Sequence, residues 1–392
     1  MKFFGFNIGG SKQPKSMVQD IPVSSSLPFA FSTPFMKIGN GNLSLPRVDK
    51  YYTQNNIVRF GADNLYPQLL NQMYYTSALH GSIIDYITNS IIGGGYCWND
   101  DKIKPDKKIE LLTFEKVNKF NKLARLLTRD YVIHRRVCVK VTKKEGKVVK
   151  FIRFDPSTIR NQVKLDTYIY SPDWSRGLYD MEIYTKYDPQ TEQTECIYIY
   201  QDNTPGQDIY PIPNYNSILN WCFLDGEFSF FHKSNIQNGV FPTIAIRRPK
   251  EFNSIDEVVK FKEEISSKTG ADNAGRVLVL TGNGMDDVPE IIQLSANNND
   301  TLFESTAKEL KDQICFAWSV NPALMGVKVA GSLGNSEEIR FSHVIFEKNV
   351  VLPFRQIIEE ILNDIIDIAK IPNNITINNF QIIDDEIVDK TI

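Results

Sequence analysis

The sequence is poor in the residues that most often carry chemistry. Among its 392 residues are only four histidines, His80, His134, His232 and His343, with no recognisable ligand or triad spacing between them. Sequence distance alone leaves open that some of them meet in space. Five cysteines (Cys97, Cys138, Cys196, Cys222, Cys315) are scattered without a C-x-x-C pair in a chain too long to need disulfide staples. They are expected to be reduced, buried fillers. No stretch reaches the ~18 consecutive apolar residues that a bilayer span requires, and Met1-Lys-Phe-Phe-Gly5 lacks the basic head, apolar run and cleavage site of a signal peptide. The net charge of −3 is far from the global basic signature of a dedicated DNA-binding domain. What remains is a chain with 42% hydrophobic residues, enough for a sizeable core and two or three substructures.

Residues 1–40 are rich in Ser, Pro, Gly and Phe without periodicity. Such a segment builds no core; it is either a loose tail or an arm that folds on a partner, with Phe29, Phe31 and Phe35 as anchors. From Asp63 order is expected. Leu69, Leu70, Met73, Ala78, Leu79, Ile83, Ile84, Ile87 and Ile91 recur at helical spacing up to Gly93-Gly-Gly95. His80, inside this pattern, reads better as a surface or hydrogen-bonded core histidine than as a metal ligand. A second helix is expected over Ile109–Tyr131, burying Leu112, Val117, Phe120, Leu123, Leu127 and Tyr131. The period then falls to two: Val137–Val141, a turn at Glu145-Gly146 and Val148–Phe154 predict a hairpin, with further strands at Thr167–Tyr170, Met181–Tyr187 and Cys196–Tyr200.

Charge is lopsided along the chain. Residues 102–153 hold seventeen Lys or Arg against five Asp or Glu, whereas 356–392 hold two against eight. The basic stretch is either a nucleic-acid patch or a solvated face that meets an acidic neighbour. Asn216–Asn238 predicts another helix. Strands are expected at Pro242–Arg248, Arg276–Leu280 and Glu290–Leu294, with a capped helix Ser254–Lys268 between them. Their edges want partners, and a second copy of the chain is one source. Asp286-Asp287 beside Glu290 could suggest a metal, but they lie on a turn without further ligands and read as surface acids.

The chain is organised around Asn297–Lys370. Thr301-Leu-Phe-Glu304 has the form of a capping box, and Phe303, Ala307, Leu310, Ile314 and Ala317 share one helical face, with Trp318 beside it and Pro322 as the stop. Asn321–Gly334 carries three glycines and neither period, so a mobile loop is expected. A phosphate-binding Walker loop is excluded: after Gly326 and Gly331, Ser332 stands where the lysine must be and Leu333 where the hydroxyl must be. Ser336-Glu-Glu338 caps a second long helix whose apolar positions are Val350, Phe354, Ile357, Ile361, Ile365 and Ile368, with a kink expected at Pro353.

Asn321-Pro-Ala-Leu-Met-Gly326, the Gly331-Ser-Leu-Gly-Asn-Ser-Glu-Glu338 run and Phe346-Glu-Lys-Asn-Val-Val-Leu-Pro-Phe-Arg355 resemble the portal (connector) proteins of tailed bacteriophages, in the shorter branch of that family. Phe230–Thr243 and Gly270–Leu280 match the same pattern in the same order. The resemblance covers about Asp63 to Asp364 and implies an α+β fold in named parts: a flexible arm (1–40), an α/β wing (41–213), stem helices (214–238 and 297–320) flanking an α/β clip (239–296), a tunnel loop (321–335), a tunnel helix with short helical crown (336–370) and a tail (371–392). It implies a homo-oligomeric ring, usually of twelve, at one capsid vertex, through which double-stranded DNA passes without sequence-specific grip. Terminase, major capsid and scaffold proteins and a head–tail adaptor are the implied partners. No catalytic residue, metal, cofactor or membrane is implied. The location is the virion, after assembly in the host cytoplasm.

On that reading the conduit is fringed by Gly326, Val327, Lys328, Val329, Ala330, Gly331, Ser332, Leu333 and Gly334, with Lys328 the loop's only charge. Phe303, Leu310, Ile314, Trp318, Trp221 and Phe228 face the stem or ring interface. Another ring-forming virion protein, of tail or head completion, is the alternative. A packaging nuclease or NTPase is disfavoured, because Glu337-Glu338 and Asp384-Asp-Glu386 read as helix-start charges and a solvated tail.

Overall fold

A computed structural model of the chain describes residues 53–54, 56–99, 105–144, 147–164, 166–177, 180–190, 193–207, 209–238, 244–247, 255–256, 259–260, 290–293, 299–326, 336–371 and 373–379. The expected arm, most of the expected helix Ser254–Lys268, the strand Arg276–Leu280, the Asp286-Asp287 pair and Val327–Gly334 of the loop lie outside them, as does the side chain of Phe303.

The helical pattern from Leu69 to Ile91 folds as two helices, α1 (Tyr66–Thr76) and α2 (Ala78–Ile92). The break comes at Ser77, whose extended backbone caps α2 by accepting the His80 N–H on its side chain. Apolar periodicity runs through the break because both helices turn the same kind of face inward. Gly81 is what lets them meet: a Cβ there would stand 2.4 Å from the Tyr74 carbonyl oxygen.

The next helix is also divided, into α3 (Pro105–Asn118) and α4 (Phe120–His134), by Lys119 at φ 48°. Of the positions expected on its buried face, Phe120, Leu123, Leu127 and Tyr131 are buried, whereas Leu112 and Val117 are exposed. The residue at Lys119 breaks the helical phase, so one stripe cannot serve both halves.

The expected hairpin is β4 (Arg136–Lys144) and β5 (Lys147–Phe154). With β6 (Ile159–Asn161), β7 (Thr167–Tyr170), β8 (Glu182–Lys186) and β9 (Glu195–Gln201) it forms a six-stranded sheet in the order β5-β4-β9-β8-β7-β6, antiparallel except for β8–β9. Ahead of it, β1 (Thr53–Gln54) and β2 (Ile57–Val58) form a short ribbon. The sheet absorbs much of the basic stretch. Arg153 pairs with Asp130 at 2.5 Å and Asp155 at 3.1 Å, Lys140 with Glu195 at 2.8 Å, and Arg136 donates to Asn161 at 2.6 Å.

After the sheet, a 3-10 turn (Asn214–Ile218) leads into α5 (Leu219–Asn238). Strands β10 (Ile244–Arg247) and β11 (Glu290–Gln293) pair antiparallel with each other, so these two satisfy one edge apiece inside the chain rather than waiting for a second copy. Helix α6 (Asn299–Ala317) starts two residues before the expected capping box. It stops well short of Pro322: Val320 N–H donates to Cys315 O and Ser319 N–H to Phe316 O, with Ser319 at φ 51°. That is a Schellman ending built on serine instead of glycine.

The long last helix is α7 (Ser336–Phe346), a π-helical stretch Glu347–Val351 and α8 (Leu352–Ile368). The irregularity expected at Pro353 is thus a π turn, in which Leu352 N–H reaches Glu347 O five residues back. Proline supplies no N–H and its ring crowds the carbonyl four residues earlier; widening the turn relieves both. Val350, Phe354, Ile361, Ile365 and Ile368 are buried as expected; Ile358 is buried beside them, and Ile357 is half-buried. Finally β12 (Ile375–Ile377) pairs antiparallel with β3 (Tyr96–Trp98), stitching the expected tail onto the end of α2.

The main core lies among α2, α4 and α8, with Ile83, Ile87, Ile91, Leu127, Tyr131, Ile358, Ile361 and Ile365 excluded from solvent. Four of the cysteines are buried and free as expected; Cys97 is exposed, because β3 has only β12 beside it.

Candidate conduit elements and their junction

Two of the elements expected to build a conduit, α5 and α6, converge on the start of α2. Trp318, just past the last turn of α6, donates its indole N–H to His80 Nδ1 at 3.0 Å, and its ring stacks on Tyr215 at 4.8 Å between centroids. Tyr215, at the entry to α5, meets His80 edge-on and donates its hydroxyl to Ile133 O at 2.5 Å. Nearly two turns into α5, the Asp225 carboxylate accepts from Ser77 Oγ at 2.8 Å and Leu79 N–H at 3.4 Å, at the amino end of α2 where partial positive charge collects. Both expected stem helices are therefore fastened to one helix of the body by polar contacts.

His80 is a core histidine. Burial drives its pKa down to about 3, so it stays neutral and its Nδ1 is free to accept. Its Nε2 finds no partner. His134 is likewise buried, held near 4 by burial, and bonded through Nε2 to Asn71 Oδ1. His232 and His343 lie on α5 and α7. Among the described residues no group of three or more His, Cys, Asp or Glu could hold a metal ion.

The loop that follows α6 has a fixed base. Asn321 Oδ1 accepts the Ala323 N–H, its Nδ2 donates to Ser342 Oγ of α7 at 2.9 Å, and a 3-10 turn over Pro322–Met325 ends at Gly326 with φ 73°. Among the described residues no atom comes within 4 Å of a Cβ placed on Gly326, and its positive φ is what calls for glycine there. Of the nine residues expected to fringe a bore, only Gly326 is described; Val327, Lys328, Val329, Ala330, Gly331, Ser332, Leu333 and Gly334 lie outside.

The expected interface positions have different fates. Leu310, Ile314 and Trp318 are 3%, 0% and 5% exposed within a single chain. They spend their apolar surface on their own subunit, in line with the stem half of the role expected of them. Trp221 and Phe228 are half-buried on α5. The large apolar side chains that do face solvent on α6 and the long last helix include Phe316, Phe341, Ile345 and Leu352.

A second fastening holds the far end of the long helix. Arg355 is buried and donates to Glu347 Oε1 at 2.8 Å, to Ser90 O at 2.9 Å and to Asn379 Oδ1 at 2.5 Å. One guanidinium thus joins the π turn, the end of α2 and the segment after β12. In the sequence its only signal is a cation inside an apolar helical run. His80 and Asn321 carried more: a histidine on an apolar face, and an asparagine before proline.

No protein-family model matches the chain. Over 218 residues it is 22% identical to a protein described as "Probable portal protein" from Escherichia phage P2; the match spans 55% of this chain and 59% of the relative. The chain thus covers little more than half the length of that relative. Among solved structures it is similar to a chain in the neck of an empty GTA particle computed with C6 symmetry, with TM-score 0.59, 14% identity and 86% of this chain covering 90% of that one. A chain in the neck of a native GTA particle computed with C12 symmetry gives TM-score 0.55 at 14% identity, covering 86% of this chain and 89% of that one. At such identities the structures speak for the fold, and together with the phage relative they bear out the resemblance of this chain to phage portal proteins.

Proposed function

We propose that this protein is a portal subunit: copies stand in a ring whose bore is lined by the stem and tunnel helices and through which double-stranded DNA passes. The observation that carries this reading is the junction just described. Helices α5 and α6 are pinned to α2 by Trp318, Tyr215 and Asp225, and the loop between α6 and α7 springs from the Asn321–Ser342 clasp beside that junction. Such a frame delivers a soft glycine-containing segment from a rigid base. The C12 symmetry of one neighbouring particle neck supports the number expected for the ring.

The ring contact is assigned to Phe316, Phe341, Ile345 and Leu352, which a head-to-tail neighbour would cover. The bore is assigned no catalysis. It passes DNA because contacts to phosphate are weak, repeated and blind to sequence, whereas base contacts would arrest the cargo. Lys328 supplies a collar of cations and Gly331 and Gly334 its compliance. Terminase, the capsid and scaffold proteins and a head–tail adaptor are the proposed partners, and the virion vertex the proposed location.

Lys328→Ala tests the bore. The variant should assemble as the unsubstituted protein does and change the rate of DNA packaging or the retention of packaged DNA. Normal packaging and retention by a well-formed ring would remove Lys328 from the contact.

A further inference from the structure

The exposed side of α3 is more apolar than a solvated helix requires. Ile109, Leu112 and Val117 are 66%, 57% and 52% exposed. They lie around the stripe opposite the one that holds the helix down, where Leu111 is buried, Phe114 packs on Phe120 and Phe151, and Asn118 Oδ1 accepts the Phe151 N–H at 2.8 Å. A bulge at Val149 breaks the two-residue period of β5, so Lys147 faces away from the side that carries Phe151 and packs against α3. Val149 is 44% exposed. Lys116 and Lys119 are exposed beside these aliphatic groups, with no acidic partner among the described residues.

We infer that residues 381–392 of the same chain dock on this α3–β5 face. The sequence there is Gln381-Ile-Ile-Asp-Asp-Glu-Ile-Val-Asp-Lys-Thr-Ile392, in which aliphatic pairs alternate with four acids. That is the complement of an aliphatic surface flanked by lysines. The described fold also brings the segment close. Strand β12 lies on β3, whose Tyr96 and Trp98 both donate to Glu115 of α3, at 2.7 and 3.0 Å. From Tyr96 the rings of Phe120, Phe114 and Phe151 follow one another at 5.4, 5.2 and 6.0 Å, leading across to β5. Twelve residues reach up to ~40 Å when extended, ample for that path.

Other occupants fit less well. DNA would satisfy the lysines through its phosphates but offers the four aliphatic side chains nothing apolar. The amino-terminal forty residues carry four Lys against one Asp and would meet like charge. The inference does not depend on the portal reading.

Hydrogen exchange of the α3 amides tests it, comparing the full chain with one ending at Phe380. Exchange should be about tenfold faster in the shortened chain, as expected when a docked segment no longer restrains local opening. The difference should be independent of protein concentration and shrink in high salt. In the full chain, Lys116→Glu with Lys119→Glu should give the same fast exchange, and adding Asp384→Lys with Asp385→Lys should restore protection. If shortening impairs folding, neutralising the tail by Asp384→Asn, Asp385→Asn, Glu386→Gln and Asp389→Asn serves in its place. Equal α3 exchange with and without the acidic tail overturns the inference. So does protection that appears only on self-association, which would assign the face to a second copy, or only with added duplex DNA.

Discussion

At the scale of single residues, the fastening of α6 to the body rests on a histidine that stays neutral. The folded chain refuses at His80 a proton that the unfolded chain accepts below about pH 6.5, so its contribution is full above that pH and is lost as the pH falls toward 3. Between pH 6.5 and 4.5 this amounts to roughly 2–3 kcal/mol. His80→Asn keeps an acceptor for Trp318 without the titration. Urea unfolding of the variant should therefore show a pH dependence shallower by about that amount over this range; an unchanged slope would place the titration elsewhere. Gly81 gives a second residue-scale test. Gly81→Ala drives a methyl group onto the Tyr74 carbonyl, separating α1 from α2, and should cost about 2 kcal/mol or more in the same measurement. That His80 belongs to the core was legible from its place on an apolar face. Its partner was not, because Trp318 lies 238 positions away and nothing local pairs them.

At the scale of elements, the sequence announced helices and strands better than their ends. Strand β7 occupies the expected Thr167–Tyr170, where alternation is sharp and each neighbouring strand is antiparallel. Helix ends were read from glycine and proline, yet Lys119, Arg135, Ser319 and Lys370 take the left-handed conformation that usually marks glycine. These residues give no compositional sign of it; tertiary packing and the terminal hydrogen bonds impose it. The π turn before Pro353 was half legible: proline announced a disturbance, but not that it would take the form of a widened turn over Glu347–Val351. Arg355 holds that turn against α2 and the segment after β12. Arg355→Ala would leave the Glu347 carboxylate and the Ser90 carbonyl without their donor, and should destabilise the chain by about 3–5 kcal/mol. Hydrogen exchange should quicken first at Ile375–Ile377. Unchanged protection there would mean that β12 is held without Arg355, by its pairing with β3 and by Asn363 and Glu359 of α8.

At the scale of the whole molecule, the family resemblance was legible because some of its motifs sit where backbone chemistry is most constrained: Asn321-Pro322 at a turn, Gly326 at its end, Pro353 in a helix. The ring-facing residues were not. Helical periodicity marks the apolar face that a chain buries in itself, which is where Leu310, Ile314 and Trp318 went. The face proposed for another copy interrupts that periodicity: Phe316 is exposed between the buried Cys315 and Trp318. The central claim is a ring with an open bore, and native mass measurement of the purified protein, paired with projection images of the same particles, tests it most directly. The account predicts a closed ring of about twelve chains joined head to tail, with a central hole wide enough for duplex DNA. A folded monomer under every assembly condition, or a closed particle without a bore, would contradict it.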